Sequence, residues 1–150
     1  MELGELNGEM RNTGQRVADN ADRLVRRCAL ATDSALVLAT PVDSGRARAN
    51  WQVELGQAAE GIIGDPNNKK EQFDKSGQSA IAQGTETISQ YKSGSSINIT
   101  NNLPYIERLN DGWSAQAPVG FVEKAVQVGI SAIQAEADKT ASGTVQEKPE

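Results

Sequence analysis

Apolar residues recur at steps of three and four between residues 9 and 39: Val17, Ala21, Leu24, Cys28, Ala31, Ala35 and Leu38, with Val25, Thr32 and Leu36 widening the stripe. That period predicts one long amphipathic helix, its opposite face carrying Arg16, Asp19, Arg23, Arg26, Arg27 and Asp33. Pro41 ends it, because the residue before a proline is pushed out of the helical region. Trp51, Val53 and Leu55 then alternate with Gln52 and Glu54, the period of a half-buried strand, and Gly61-Ile62-Ile63-Gly64 is the expected hairpin partner. Residues 65–79 are polar and predict an exposed loop. Ile81, Ile88 and Tyr91 predict a helix over residues 79–91, weakened by Gly84. Ile97 and Ile99 alternate with Ser96, Asn98 and Thr100 as a second strand. From Val119 onward Phe121, Val122, Ala125, Val126, Gly129, Ile130, Ile133 and Ala137 trace one face of a last helix, with Pro118 placed near its first position.

Helix, strand pair, helix, strand, helix is an α+β pattern: a small antiparallel sheet packed against long N-terminal and C-terminal helices, the alternative being a sheet flanked on both faces. Residues 1–139 make one domain, and residues 140–150, polar and ending in Pro149-Glu150, are expected to form a flexible tail. A chain of 150 residues buries about 70% of the surface its unfolded form exposes. With two each of Trp, Tyr and Phe, the interior must be built from Ala, Val, Ile and Leu, a thin core that subunit contacts would supplement.

The formal charge of -5 removes the general phosphate attraction that drives nucleic-acid binding. Arg23, Arg26 and Arg27 form a local basic cluster that reads as a solvated helix face. No apolar run approaches the length that spans a bilayer, and the first ten residues do not follow the basic-then-apolar order of a secretory leader. Cys28 is the single cysteine, so no intrachain disulfide framework exists, and its place in the apolar stripe predicts packing rather than thiol chemistry. The sequence contains no His. With that goes the usual base for a nucleophile and the usual zinc set, and there is no Gly-rich phosphate loop. Asp65, Glu71 and Asp74 are spread over a polar loop without calcium-loop spacing. No catalytic, cofactor or metal site is expected.

Two punctuated segments remain. The first is Thr40-Pro41-Val42-Asp43-Ser44-Gly45-Arg46-Ala47-Arg48-Ala49-Asn50-Trp51, in which Asp43 is expected to cap a turn or short helical turn and Gly45 to free the backbone. The second, residues 100–118, sets Tyr105, Glu107, Arg108, Asp111, Trp113 and Gln116 among turn formers. Tyr, Trp and Arg are the types enriched at interface hot spots, and loops on a rigid scaffold commonly carry function. Trp51 is expected in the core; for Tyr105 and Trp113, capping the core of the small sheet and presenting a docking surface both stand.

At these segments the chain resembles the tailed-bacteriophage neck and tail-completion proteins, of which the lambda-type minor tail protein Z is one branch. The first family pattern is met by Thr40, Pro41, Val42, Asp43, Ser44, Gly45, Arg46, Arg48 and Trp51 after a long first helix. The second is met by Ile97, Ile99, Asn101, Asn102, Pro104, Tyr105, Glu107, Asp111, Gly112, Ser114, Gln116, Ala117, Pro118, Gly120 and Phe121. Ala47 stands where a larger apolar residue is common, and Phe121 where Met is frequent. The likeness covers residues 10–135 in one order.

The resemblance implies a non-enzymatic structural protein of the virion, assembled in the host bacterial cytoplasm into a sixfold or twelvefold ring at the head–tail junction. Its implied partners are further copies of itself, a head-completion or connector protein, a tail terminator or tail tube protein, and the passing genomic DNA, met without sequence recognition; a membrane is not among them. A head-to-tail ring needs two different patches per subunit, and the two motif loops are the candidates. Arg46 and Arg48 are expected to pair with carboxylates of a neighbour, or alternatively to hold their own turn. Tyr105, Glu107, Arg108, Asp111, Trp113 and Gln116 are expected on the docking surface, and acidic groups lining the channel would keep DNA from adhering. The alternatives are a tail terminator capping the tail tube and, in a different class, a small prophage-encoded enzyme or DNA-binding regulator.

Overall fold

The computed structural model describes residues 3–146. Their order is α1 (Leu3–Ala39), α2 (Arg46–Ala49), β1 (Gln52–Leu55), α3 (Gln78–Ser89), β2 (Ile97–Thr100), α4 (Ile106–Asn110) and α5 (Phe121–Gln146). The class is α+β: two long terminal helices pack against a two-stranded antiparallel sheet.

α1 is the axis of the fold and is covered on two sides. Along one side α5 runs antiparallel to it. Phe121 and Ala125 join Leu36 and Val37 in the core, and one α-helical turn further Gly129 lies against Thr32 and the Cys28 carbonyl, where a Cβ would overlap the Thr32 hydroxyl. Along the other side lie α3 and the sheet, with Val37, Val53 and Ile88 fully buried. The second contact corrects the expected polar face. Asp33 is 1% exposed, with Gly84 of α3 set so close that a Cβ there would overlap its Oδ2. Arg26 also turns inward and donates to the Tyr91 carbonyl at 2.8 Å, and Ser93 Oγ donates to Asp22. The side takes these groups because Val37, one turn on from Asp33 and outside the first stripe, is fully buried and supplies an apolar anchor there.

β1 does not pair with residues 61–64. It pairs with β2, Gln52 opposite Thr100 and Leu55 opposite Ile97. The segment expected as a hairpin partner has Gly61 and Gly64 at φ 75° and 91°, a conformation outside the regular strand geometry. A side chain replaces the ladder there: Asn50, itself buried, accepts from Ile63 N–H at 2.7 Å and donates to the Ile63 carbonyl at 3.2 Å. Residues 65–77 form the expected loop, residues 78–79 of its expected span belonging to α3, yet Phe73 is half-buried and its N–H donates to the Ser44 carbonyl at 2.9 Å.

α5 begins at Phe121 rather than beside Pro118, because Gly120 at φ 77° reorients the chain and the Asn110 Oδ1 accepts from Val122 N–H at 2.9 Å as a cap brought from α4. It continues through Gln146, so residues 140–146 are helical where a tail was expected; nothing in Thr140, Ala141, Ser142, Gly143, Thr144, Val145 and Gln146 stops a helix as Pro149 would. Residues 147–150 of that expected tail lie outside the described residues.

Candidate functional site

The two motif segments meet. Val42 N–H donates to Gln116 Oε1 at 2.8 Å, and Asn101 Nδ2 donates to the Ala47 carbonyl at 3.0 Å while its Oδ1 accepts from Leu103 N–H. Asn102 Nδ2 holds the Ala59 and Gly61 carbonyls. Amides that reach across sequence therefore fasten the first motif, the second motif and the glycine loop into one block. Trp51 is its floor: 6% exposed, with Nε1 donating to Thr40 Oγ1 at 2.8 Å, while that hydroxyl donates to the Leu36 carbonyl at 2.6 Å.

Both arginines of the first motif are engaged within the subunit. Arg48 donates to the Leu38, Thr40 and Lys75 carbonyls at 2.9, 3.0 and 2.9 Å. Two of these belong to the C-terminal end of α1, where orphan carbonyls and the helix dipole both favour a cation. Arg46 donates to the Asp65 and Asn68 carbonyls, approaches Glu71 Oε2 at 3.6 Å and lies over the Phe73 ring at 4.9 Å. The reading in which the arginines hold their own turn accounts for every one of these contacts, and at Arg48 three of the five guanidinium N–H groups are already used within the subunit. Asp43 does not cap the turn; it is exposed, and Ser44 Oγ accepts from Arg46 N–H at 3.2 Å instead. Gly45, at φ 86°, is required because Phe73 backbone atoms lie 3.1 Å from where its Cβ would be.

A cavity of about 250 Å³ opens where the segments join, lined among others by Asp43, Arg46, Tyr105, Ser114 and Gln116. Burial raises the Tyr105 hydroxyl above its ordinary pKa; Arg46 opposes this and Asp43 adds to it. Arg46, Tyr105 and Gln116 of the expected surface are thus brought together. Glu107 and Asp111 sit on the other flank of α4, at the rim of a second cavity with Trp51, Asn110 and Val122. Arg108 lies over the indole of Trp113 at 5.4 Å. Trp113 is 73% exposed and Val119 68%. Trp113 stands mostly in solvent, and Tyr105, 37% exposed, lines the first cavity. Gly112 stands between Trp113 and Val119: a Cβ there would press on Val119 Cγ2. Trp113 and Val119 are thus two exposed apolar groups on either side of the Gly112 turn, with Arg108 across the indole ring.

Sequence reasoning gave no role to Asn50 and Asn110, which hold the block, and set Asp33 on the polar face of the first helix. An asparagine beside a tryptophan carries no pattern of its own, whereas Leu30, Val37 and Thr40 flanking Asp33 at helical spacing form a second stripe that marks it as inward-facing. The carboxylates of residues 65–79 are occupied locally: Asp74 accepts from the Ser76 N–H and hydroxyl and from Ser79 N–H, bonds that hold it well below the usual carboxylate range. Among the described residues no group of His, Cys, Asp and Glu gathers where a metal ion could be held, and no helix is long and apolar enough to cross a membrane. The basic cluster is divided, since Arg26 is engaged with Tyr91 while Arg23 and Arg27 are exposed. Compared with family models, curated proteins and solved structures, the chain finds no match in any of the three.

Proposed function

We propose that the protein is a non-enzymatic structural component of a tailed-phage virion, a subunit of the neck or tail-completion ring joining tail to head around the DNA channel. The observation that carries this reading is the closed block of the two motif segments beneath an exposed Trp113–Arg108–Val119 patch. Such a construction supplies a rigid platform and an aromatic anchor, the combination that docking needs and catalysis does not. Its partners on this reading are neighbouring copies in the ring, the connector on the head side and the terminator or tube on the tail side. The net charge of -5 suits a subunit that passes DNA without holding it.

Electron cryomicroscopy of the head–tail junction in purified particles, with symmetry left free, is the test. A ring of this subunit between connector and tube is the expected result, and it distinguishes six copies from twelve. Absence from the particle overturns the reading. In the same system Trp113→Ala is expected to cut the yield of infectious particles at least tenfold while leaving the fold intact, since the ring is mostly in solvent. Normal yield removes Trp113 from the docking surface. Binding to purified tails without head components would move the subunit to the terminator position, and duplex-DNA affinity with a steep salt dependence would favour the regulator.

A further inference from the structure

We infer that the outer edge of β2 is a strand-addition site, taking an extended segment of another protein, with apolar residues at alternate positions, into the groove between β2 and α5. This goes beyond the virion reading and does not use it: the groove shares no residue with the two cavities of the motif segments or with Trp113 and Val119.

The edge is free. Gly56 N–H donates to the Ser96 carbonyl at 2.8 Å, one step beyond the pairing of Leu55 with Ile97. In an antiparallel ladder hydrogen-bonded and non-hydrogen-bonded pairs alternate, so Ser96, Asn98 and Thr100 turn their backbone groups toward β1 while Ile97 and Ile99 turn theirs outward. Among the described residues no backbone or side-chain hydrogen bond reaches those outward N–H and carbonyl groups. β1 turns out the same groups at Val53 and Leu55, but α3 packs over it, and no helix packs on β2 to a like extent. Natural sheets blunt such an edge with charge, proline or a covering element. Ile97-Asn98-Ile99-Thr100 contains neither charge nor proline.

The groove beside the edge has a volume of about 350 Å³. Ile97 and Ile99 line it on the sheet side, the small residues Cys28, Ala29 and Thr32 of α1 line its floor, and Ile133 of α5 lines it opposite; all six are only half-buried. Residues directly across from one another in a sheet point to the same face, so a strand laid on β2 sets every second side chain over that floor while its backbone takes up the outward groups. The two requirements together specify the occupant. A helix can fill an apolar groove, but its own backbone groups are already paired and leave the edge unsatisfied. The rest of this sequence does not reach the site. From Ile133 to Gln146 α5 carries the chain about 20 Å away, and residues 147–150 span at most about 14 Å. At the other end Leu3 lies about 33 Å along α1 from Val25, which also lines the groove.

Amide hydrogen exchange of the full chain by nuclear magnetic resonance is the experiment, run alone and with peptides selected on it from a random display library. Alone, the Ile97 and Ile99 amides are expected to exchange roughly 100-fold or more faster than those of Asn98 and Thr100, which bond to β1. Selected peptides are expected to carry apolar residues at alternate positions and, at saturation, to slow the Ile97 and Ile99 amides roughly tenfold or more. Methylating every second backbone nitrogen of such a peptide, in the phase that faces β2, is expected to weaken binding roughly tenfold or more, and in the other phase less than about threefold. Val25→Glu sets a charge on the lining of the groove at a position 39% exposed, and is expected to weaken binding roughly tenfold with the near-ultraviolet circular dichroism of Trp51 unchanged. Equal protection of all four amides in the free chain overturns the inference, and if that protection falls on dilution the occupant is a second copy. A library that returns no binder overturns it too. So do binders that leave Ile97 and Ile99 unprotected or respond alike to both methylation phases, the behaviour of a plain apolar pocket.

Discussion

Arg48 illustrates how much of this molecule is decided by single polar side chains reaching backbone. Its guanidinium gathers carbonyls from the end of α1 and from the loop before α3, so it ties the two segments together. Hydrogen bonds from a charged donor contribute about 1.5–3 kcal/mol each, and their loss leaves carbonyls without a partner. Arg48→Ala is expected to lower unfolding stability by about 2–4 kcal/mol, measured by urea titration. Arg48→Lys should recover less than half of that, since an ammonium cannot fork to three acceptors in the same plane. Equal stability of the lysine variant would show that charge alone matters at the end of α1. The type of residue at this position was legible in the sequence, as part of a motif; its direction was not. Arg46 and Arg48 stand two apart in a four-residue helix, and whether such side chains reach outward or fold back depends on residues 65–75, which carry no periodic signal.

At the scale of elements, the positions with strong periodicity were readable: α1, α3, β1, β2 and α5 fall where three- and four-residue or alternating spacing places them. The errors came where a polar side chain substitutes for an element, as Asn50 does for a strand partner, or where an element is too short to have a period, as with α4. The packing of α5 on α1 rests on a close approach at Gly129. Alanine in place of glycine ordinarily favours a helix by about 1 kcal/mol. Here its methyl group would overlap the Thr32 hydroxyl and sit 3.1 Å from the Cys28 carbonyl. Gly129→Ala is therefore expected to destabilise by about 1–3 kcal/mol, seen as a lower thermal midpoint. Combining it with Thr32→Ala, which removes the colliding atoms, should restore at least half of the loss. Additivity of the two changes would place the strain elsewhere.

For the molecule as a whole, the buried Asp33 makes stability depend on pH in an unusual direction. Burial raises its pKa from 3.8 to about 7, and its Oδ1 has no hydrogen-bond partner. Between those values the folded chain keeps a proton that the unfolded chain has released, so stability from this group is fully present below about pH 4 and is lost as pH rises through about 7. A shift of that size corresponds to about 4 kcal/mol. The wild type is expected to lose stability between pH 5 and pH 8 by denaturant titration, and Asp33→Asn, neutral throughout, should flatten that slope. A slope that persists unchanged in the asparagine variant assigns it to other groups.

The position of α1 between its two covers also has a consequence in time. Its sheet-side cover, α3 and the strands, comes from the middle of the chain, and its other cover, α5, from the last element. A ribosome working at about 5–20 residues/s reaches Phe121 only roughly 4 to 16 s after finishing Ala39. During that interval the stripe through Cys28, Thr32 and Ala35 is already made and has nothing of its own chain to close on. Nascent copies on neighbouring ribosomes of one message meet in that state, with the α5 side of their first helices bare.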